Sequence, residues 1–308
     1  MKSAKRNLFM LCCTFLAALA AFTFSSCGKT GKTTTEIDTK LKVTVTFNAL
    51  KEMAQAVGGE YVTVTTLVPD GMEVHDFEPK PQDMEALSKA DVFVYNGFGL
   101  ETWAPKAIES SRNEKLTAVD ASENAEPITL PGDETDGRGG TDPHLWLSLK
   151  GAQIQTRNIA NAFAKADPAH ADAYAKNADA FISELEKLYS EYSGKMSITP
   201  SKIIVTGHAA FGYLCRDFGL EQNSVENVFS AGEPSPQQLA ALVDFARAKK
   251  VKTIFAEKMV SPAVSQTLAA EIGAKVVAIY TMESAEDGKS YIERMRDNLE
   301  EIYKSLIE

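Results

Sequence analysis

The sequence predicts an α/β protein of two lobes, each a mostly parallel sheet with flanking helices, joined by one long rigid helix. Three observations predict it. Strand-like and helix-like segments alternate through the first half of the chain, one uninterrupted helical run follows, and the alternation then begins again. Alternation of this kind packs helices on the faces of a parallel sheet.

The first lobe is expected over residues 41–167. Segment 41–47 is β-rich, 49–57 helical and 61–67 β-rich again; 81–88 is helical, 92–95 a short apolar strand and 103–110 helical. Segment 121–140 breaks the pattern with Glu123, Glu126, Asp133, Glu134 and Asp136 among several Gly and Pro residues, and is read as a long polar loop. A helix over 147–166 stops at Asp167-Pro168, where a new one starts. From Pro168 the linker helix runs to 197, its spacing carried by Ala173, Ala180, Leu185, Leu188 and Tyr192. About 27 residues at 1.5 Å each make a strut of roughly 40 Å, longer than one small lobe needs. Residues 198–308 form the second lobe: strands over 203–206, 253–256 and 275–280, helices over 209–218, 235–249, 262–272 and 290–306.

The chain begins with Lys2, Lys5 and Arg6, an apolar run over 8–24, and then Ser25-Ser26-Cys27-Gly28. Residues 1–26 have the form of a secretory signal and do not belong to the fold. Ser25-Ser26-Cys27 resembles a bacterial lipobox, with Phe24 in place of the usual leucine, so the lipid is expected on Cys27. Residues 27–40, poor in apolar side chains, are then a flexible tether holding the protein to the outside of a bacterial membrane. Cys12 and Cys13 leave with the signal, so Cys215 is the one ordinary thiol and no disulfide framework is possible. Loss of the three cationic residues takes the formal charge from -10 to about -13. So acidic a body, without a long basic patch, excludes nucleic acid as a partner.

There are four histidines in all. His75 lies in the Pro- and Gly-containing connection after the strand at 61–67, His144 in Thr141-Asp142-Pro143-His144 before a helix, and His208 after the strand at 203–206. All three fall in loops at the ends of elements, and ligands of α/β sheets bind at such an end of the sheet. Neutral imidazoles are the usual zinc ligands. His170 sits in the polar start of the strut and is assigned to solvent. No G-x-S-x-G, H-E-x-x-H, Walker A loop or G-x-G-x-x-G occurs, which leaves the nucleophilic and nucleotide readings without support.

Val68-Pro69-Asp70-Gly71-Met72-Glu73-Val74-His75-Asp76-Phe77-Glu78-Pro79 resembles the "vPpGadpHdYEP" segment of the zinc/manganese solute-binding proteins of ABC importers, with Phe77 where Tyr is usual. Asp142-Pro143-His144-Leu145-Trp146-Leu147-Ser148 is similar to their "DPHvWLsp", and His208-Ala209-Ala210-Phe211-Gly212-Tyr213-Leu214 to their "HgAFgYla". The resemblance runs over 41–308 and implies a two-lobed receptor that delivers zinc, or alternatively manganese, to a membrane permease, without catalysis and as a monomer. It implies His75, His144 and His208 as ligands. A carboxylate after the last strand is the family's usual fourth ligand. Met282-Glu283-Ser284 matches the Leu-Glu-Ser step of zinc-type members and selects Glu283; Glu286 and Asp287 stand behind it, and Cys215 is expected to be packed instead. Zinc-type members often carry a histidine-rich insert where this chain has the acidic segment 121–140, which either attracts cations or is solvated. A zinc hydrolase with Glu257 as base and an adhesive surface lipoprotein are the competing functions.

Overall fold

In the first sheet, β1 (Leu41–Val45) pairs in parallel with β2 (Val62–Thr66) on one side and β3 (Val92–Tyr95) on the other, and β3 carries β4 (Thr117–Asp120) at the far edge. These elements come from a computed structural model that describes residues 40–131, 140–229, 235–258, 262–285 and 287–308. In the second sheet β5 (Ile203–His208) pairs with β6 (Glu221–Glu226) and with β7 (Thr253–Glu257), and β7 with β8 (Lys275–Ile279), all parallel. Both sheets therefore have the order 2-1-3-4 within their lobe. In each, the chain leaves the first strand to opposite sides, which opens a crevice at the carboxyl ends of the strands.

The helices of the first lobe are α1 (Asn48–Gly58), α2 (Pro81–Lys89), α3 (Ala104–Ser110) and α4 (Leu149–Ala166). Ser148 caps α4 by accepting from the Gly151 N–H, as a serine at that position does for one of the unpaired amides of a first turn. After a 3-10 turn at Pro168–His170, the linker α5 (Ala171–Ser197) runs 27 residues. It packs along α4 and α1 and, at its other end, against the closing helix α9 (Tyr291–Ile307). Its buried side is Tyr174, Ala178, Leu185, Leu188, Tyr192 and Met196. Ala180, expected on that side, is exposed, because the buried stripe enters the helix through Tyr174 and Ala178. The second lobe holds α6 (Gly212–Phe218), α7 (Pro236–Ala248) and α8 (Ala263–Ile272). Capping boxes, Ser235 with Gln238 and Ser290 with Glu293, start α7 and α9.

Both lobes share one large core. It includes Val43, Val45, Phe47, Phe93 and Trp146 of the first lobe, the buried stripe of α5, and Leu299 and Ile302 of α9. Alternation along the strands divides the second sheet. Ile204 and Phe255 join the large core, whereas their neighbours Val205 and Ile254 face a small separate one with Val225, Leu242, Leu268 and Ala269 under α7 and α8.

β4 and β6 have no counterpart in the sequence reading. Each is an edge strand paired on one side only; β4 has four residues, and β6, Glu-Gln-Asn-Ser-Val-Glu, has a single buried one. Neither carries an apolar run. Helix α6 begins at Gly212, later than the expected 209: the intervening residues turn sharply, with Ala210 and Phe211 buried and the Phe211 N–H donating to Gln222 Oε1 at 3.0 Å.

Candidate metal centre

The three histidines at the ends of elements come together. His75, His144 and His208 are all buried, and one ligand atom of each lies within 4.8 Å of those of the other two. Ring centroids are 5.0 Å apart for His75 and His144, 5.4 Å for His75 and His208, and 4.7 Å for His144 and His208. The Nε2 atoms of His75 and His144 are 3.1 Å apart. Two nitrogens bound at 2.0–2.1 Å to a tetrahedral ion stand about 3.3 Å apart, a separation close to this one. Trp146 and Phe229 wall the cluster with apolar rings.

Two of the imidazoles, His144 and His208, have their own supports. Asp142 Oδ1 accepts both from His144 Nδ1, at 2.8 Å, and from the His144 backbone N–H, at 2.9 Å. A carboxylate on Nδ1 leaves the lone pair of the neutral ring on Nε2, facing the cluster, and raises its basicity as a ligand. Asp142 is held in turn by Tyr213 of the second lobe, whose hydroxyl donates to the Asp142 carbonyl at 2.7 Å. Behind His144, Asn96 Nδ2 donates to the Pro143 carbonyl at 2.8 Å, and Gln155 Nε2 donates to Asn96 Oδ1 at 2.9 Å. Glu101, fully buried, accepts from the backbone N–H groups of Asn96 and Gly97; burial pushes its carboxyl up to about 7.

His208 is the last residue of β5, and its ring Nε2 lies 2.8 Å from the Val228 carbonyl. A carbonyl oxygen only accepts, so Nε2 carries the proton and the lone pair is on Nδ1. Burial, and then the neighbouring His144, pull the His208 imidazolium down to about 3, so the ring is neutral across the ordinary pH range. Glu257 accepts the His208 backbone N–H at 2.8 Å. A side chain at Gly207 would run into that carboxylate, which is why the close approach needs glycine. Glu257 thus positions the strand end; its own carboxyl is raised, chiefly by burial.

Glu283 lies in the loop after β8, half-buried, in a second group with Glu73 and His75 whose ligand atoms are again within 4.8 Å of one another. The preceding Met282 is buried with φ 62°, a left-handed conformation costly for a methionine. The first lobe holds this turn on both sides: Trp146 Nε1 donates to the Thr281 carbonyl at 2.7 Å and the Asn48 N–H to the Glu283 carbonyl at 3.2 Å. The Gly71 N–H to Ser284 Oγ and the Ala285 N–H to Asp70 Oδ1, both 2.8 Å, tie the same loop to the one that carries His75.

The remaining expected residues lie elsewhere. Asp287 is tied to Tyr280 and Lys258, which in that order hold its carboxyl well down. Cys215 is buried in α6, its thiol pushed up by burial. His170 is not simply solvated: Nδ1 bonds Asp167 at 2.7 Å and the ring stacks on Tyr61 with centroids 4.2 Å apart. Cys27, Glu286, and Asp133, Glu134 and Asp136 of the acidic segment lie outside the described residues. Sequence reasoning missed the supporting roles of Asp142, Tyr213, Asn96 and Gln155. Asp142 alone had a signal, its place beside His144 in one motif.

A family model described as zinc-uptake complex component A, periplasmic, matches residues 43–305. The chain belongs to this zinc-uptake component A family. A protein of Treponema pallidum strain Nichols whose name assigns it metal binding is 42 % identical over 309 residues, covering 95 % of this chain and 96 % of the relative. The high-affinity zinc uptake system protein ZnuA of Bacillus subtilis strain 168 is 32 % identical over 314 residues, covering 98 % and 97 %. Among solved structures, the laminin-binding protein Lmb of Streptococcus agalactiae, described as a bifunctional protein with adhesin and metal-transporting activity, superposes with a TM-score of 0.80 at 36 % identity, over 87 % of this chain and 99 % of that one. As a member of the family, this chain is an extracytoplasmic metal-binding component of an ABC importer and not an enzyme; its partner is the importer's permease. The buried imidazoles with acidic side chains beside them fit zinc, or manganese, as the transported ion.

Proposed function

We propose that the protein is a zinc receptor that holds one ion on His75, His144, His208 and Glu283 and delivers it to its permease. The observation that carries this reading is the convergence of three buried imidazoles from both lobes on one point, with a half-buried carboxylate beside His75. Three nitrogens and one oxygen make a compact tetrahedral set that suits zinc, whereas manganese favours more oxygen donors and more ligands. The site's ligands all come from one chain, which supports a receptor that works as a monomer. Supports for the ligand rings reach across both lobes, as expected of a site meant to hold its cargo rather than leave a position open for a water nucleophile. Glu257, the base a hydrolase would need, is engaged with the His208 backbone.

Metal analysis of the purified protein, before and after chelation, tests the reading: one zinc per chain is expected. In competitive titration Glu283→Ala should weaken zinc by about tenfold, less than loss of a histidine, because water takes the vacated position. Glu286→Ala, Asp287→Ala and His170→Ala should leave affinity unchanged. A loss at Glu286 or Asp287 with Glu283→Ala unaffected would reassign the fourth ligand.

The proposed anchor is a lipid on Cys27, with residues 1–26 removed as signal and 27–40 as tether. The small residues before Cys27 and the extracytoplasmic family support it. Among the described residues no helix is long and apolar enough to cross a membrane. Cys27→Ser should move the protein out of the membrane fraction; persistence there would favour an uncleaved helix.

A further inference from the structure

Glu73 has no part in the four-ligand set, yet its carboxylate is aimed at the same place. It lies two residues before His75, and its Oε1 accepts the His75 backbone N–H at 3.2 Å, which curls the side chain back over the loop. One of its oxygens, one of Glu283's and a ring nitrogen of His75 are mutually within 4.8 Å. Both carboxylates are half-buried, whereas the three histidines are buried. Glu73 is also close enough to Glu257, as is Glu226, for its charge to raise that carboxyl further. Two carboxylates at such a distance in a partly desolvated mouth repel one another, and a divalent cation between them removes the repulsion.

On the reading of the three histidines and Glu283 as the resting site, we propose that Glu73, His75 and Glu283 form an outer position through which the metal ion enters and leaves. One ion moves between the two positions. They share His75 and Glu283, so they do not fill together, and the stoichiometry stays at one. The outer donors are two carboxylates and one imidazole, a harder set that accepts zinc or manganese alike. Discrimination then falls to the inward step, where His144 and His208 replace the oxygen of Glu73 with imidazole nitrogen.

A residue that ligates only on the way in and out changes both rates together and leaves the equilibrium alone. The test uses the full-length protein in detergent, with zinc itself as the probe: stopped-flow association, release to excess chelator, and competitive titration. Glu73→Gln keeps the oxygen that accepts the His75 N–H and removes the charge. It should slow association and release alike, by roughly tenfold, with the dissociation constant within about twofold of wild type. Asp76→Asn removes a charge from the exposed neighbour of His75 and should change neither rate appreciably. Unchanged rates in Glu73→Gln would overturn the outer position. So would a tenfold loss of affinity with normal association, which would make Glu73 a resting ligand, and so would equal slowing by Asp76→Asn, which would reduce the effect to the general field. No zinc uptake by wild type would instead overturn the three-histidine site on which this inference stands.

Discussion

The two lobes contribute to the same centre in different ways. The first lobe presents His144 fully buried, with ring and backbone on one carboxylate oxygen of Asp142 and with Asn96, Gln155 and Glu101 in a hydrogen-bonded chain behind it. That chain sits in the large core. The second lobe presents His208 at a strand end, held through its backbone by Glu257 and through its ring by a loop carbonyl, and Glu283 on a loop whose left-handed Met282 is braced from the other lobe. Part of its sheet rests on the small separate core. The first lobe thus holds His144 mostly through its own groups, with Tyr213 of the second lobe bracing Asp142, while the second relies on contacts with the first to present Glu283. Pre-organised donors lose little entropy on ligation and contribute most to affinity.

The largest test of that difference is His144→Ala, which should weaken zinc by more than about 100-fold, beyond the usual range for an outer-shell change. Asp142→Asn tests the support rather than the ligand. Without the carboxylate on Nδ1 the ring loses both its fixed orientation and part of its basicity, and a loss of about 10–100-fold in titration is expected. An effect below about threefold for Asp142→Asn would mean that packing around Trp146, not the carboxylate, orients His144.

The smallest effect concerns protons on the metal-free protein. His208 is pulled from its ordinary 6.5 to about 3 in the fold. Between those values the unfolded chain binds a proton at His208 that the folded chain does not, so stability is fullest above about 6.5 and falls as pH drops toward about 3. His208→Asn should flatten part of that acid limb in thermal melts taken with chelator present, on top of a pH-independent loss from the missing ring and its bond to Val228. An ordinary imidazole protonates below about 6.5, so zinc binding should weaken there. His208, neutral well below that, is not the ring that sets the midpoint.

Much of this architecture is legible in the sequence. The alternating elements, the break at Asp167-Pro168 and the uninterrupted run after it announce two α/β lobes and a long linker, because helix and strand periods are local properties of the chain. The edge strands β4 and β6 are not legible, since each rests on a single neighbour and neither carries the β-rich run that makes the other two edge strands, β2 and β8, visible. His75, His144 and His208 stand out by their positions at the ends of elements and by the motifs around them, and Glu283 by the resemblance of Met282-Glu283-Ser284 to a family step. His170 is separable from them by its place in the linker, but its stacking on Tyr61 is out of view, because Tyr61 is distant along the chain.

The sequence by itself determined the local choices: which segments become strands and helices, where they stop, and which side chains with metal-binding chemistry stand at the ends of elements. Only the tertiary structure decided that three of those side chains meet within 4.8 Å, that Asp142 serves the His144 ring, and that Glu73 faces Glu283 across 210 positions of chain. The reason is physical. Helix and strand formation depend on neighbours a few residues away, whereas the meeting of His75, His144 and His208 depends on how two sheets are held by α5, α9 and a shared core, and on side chains such as Tyr213 and Trp146 that bond across the lobes.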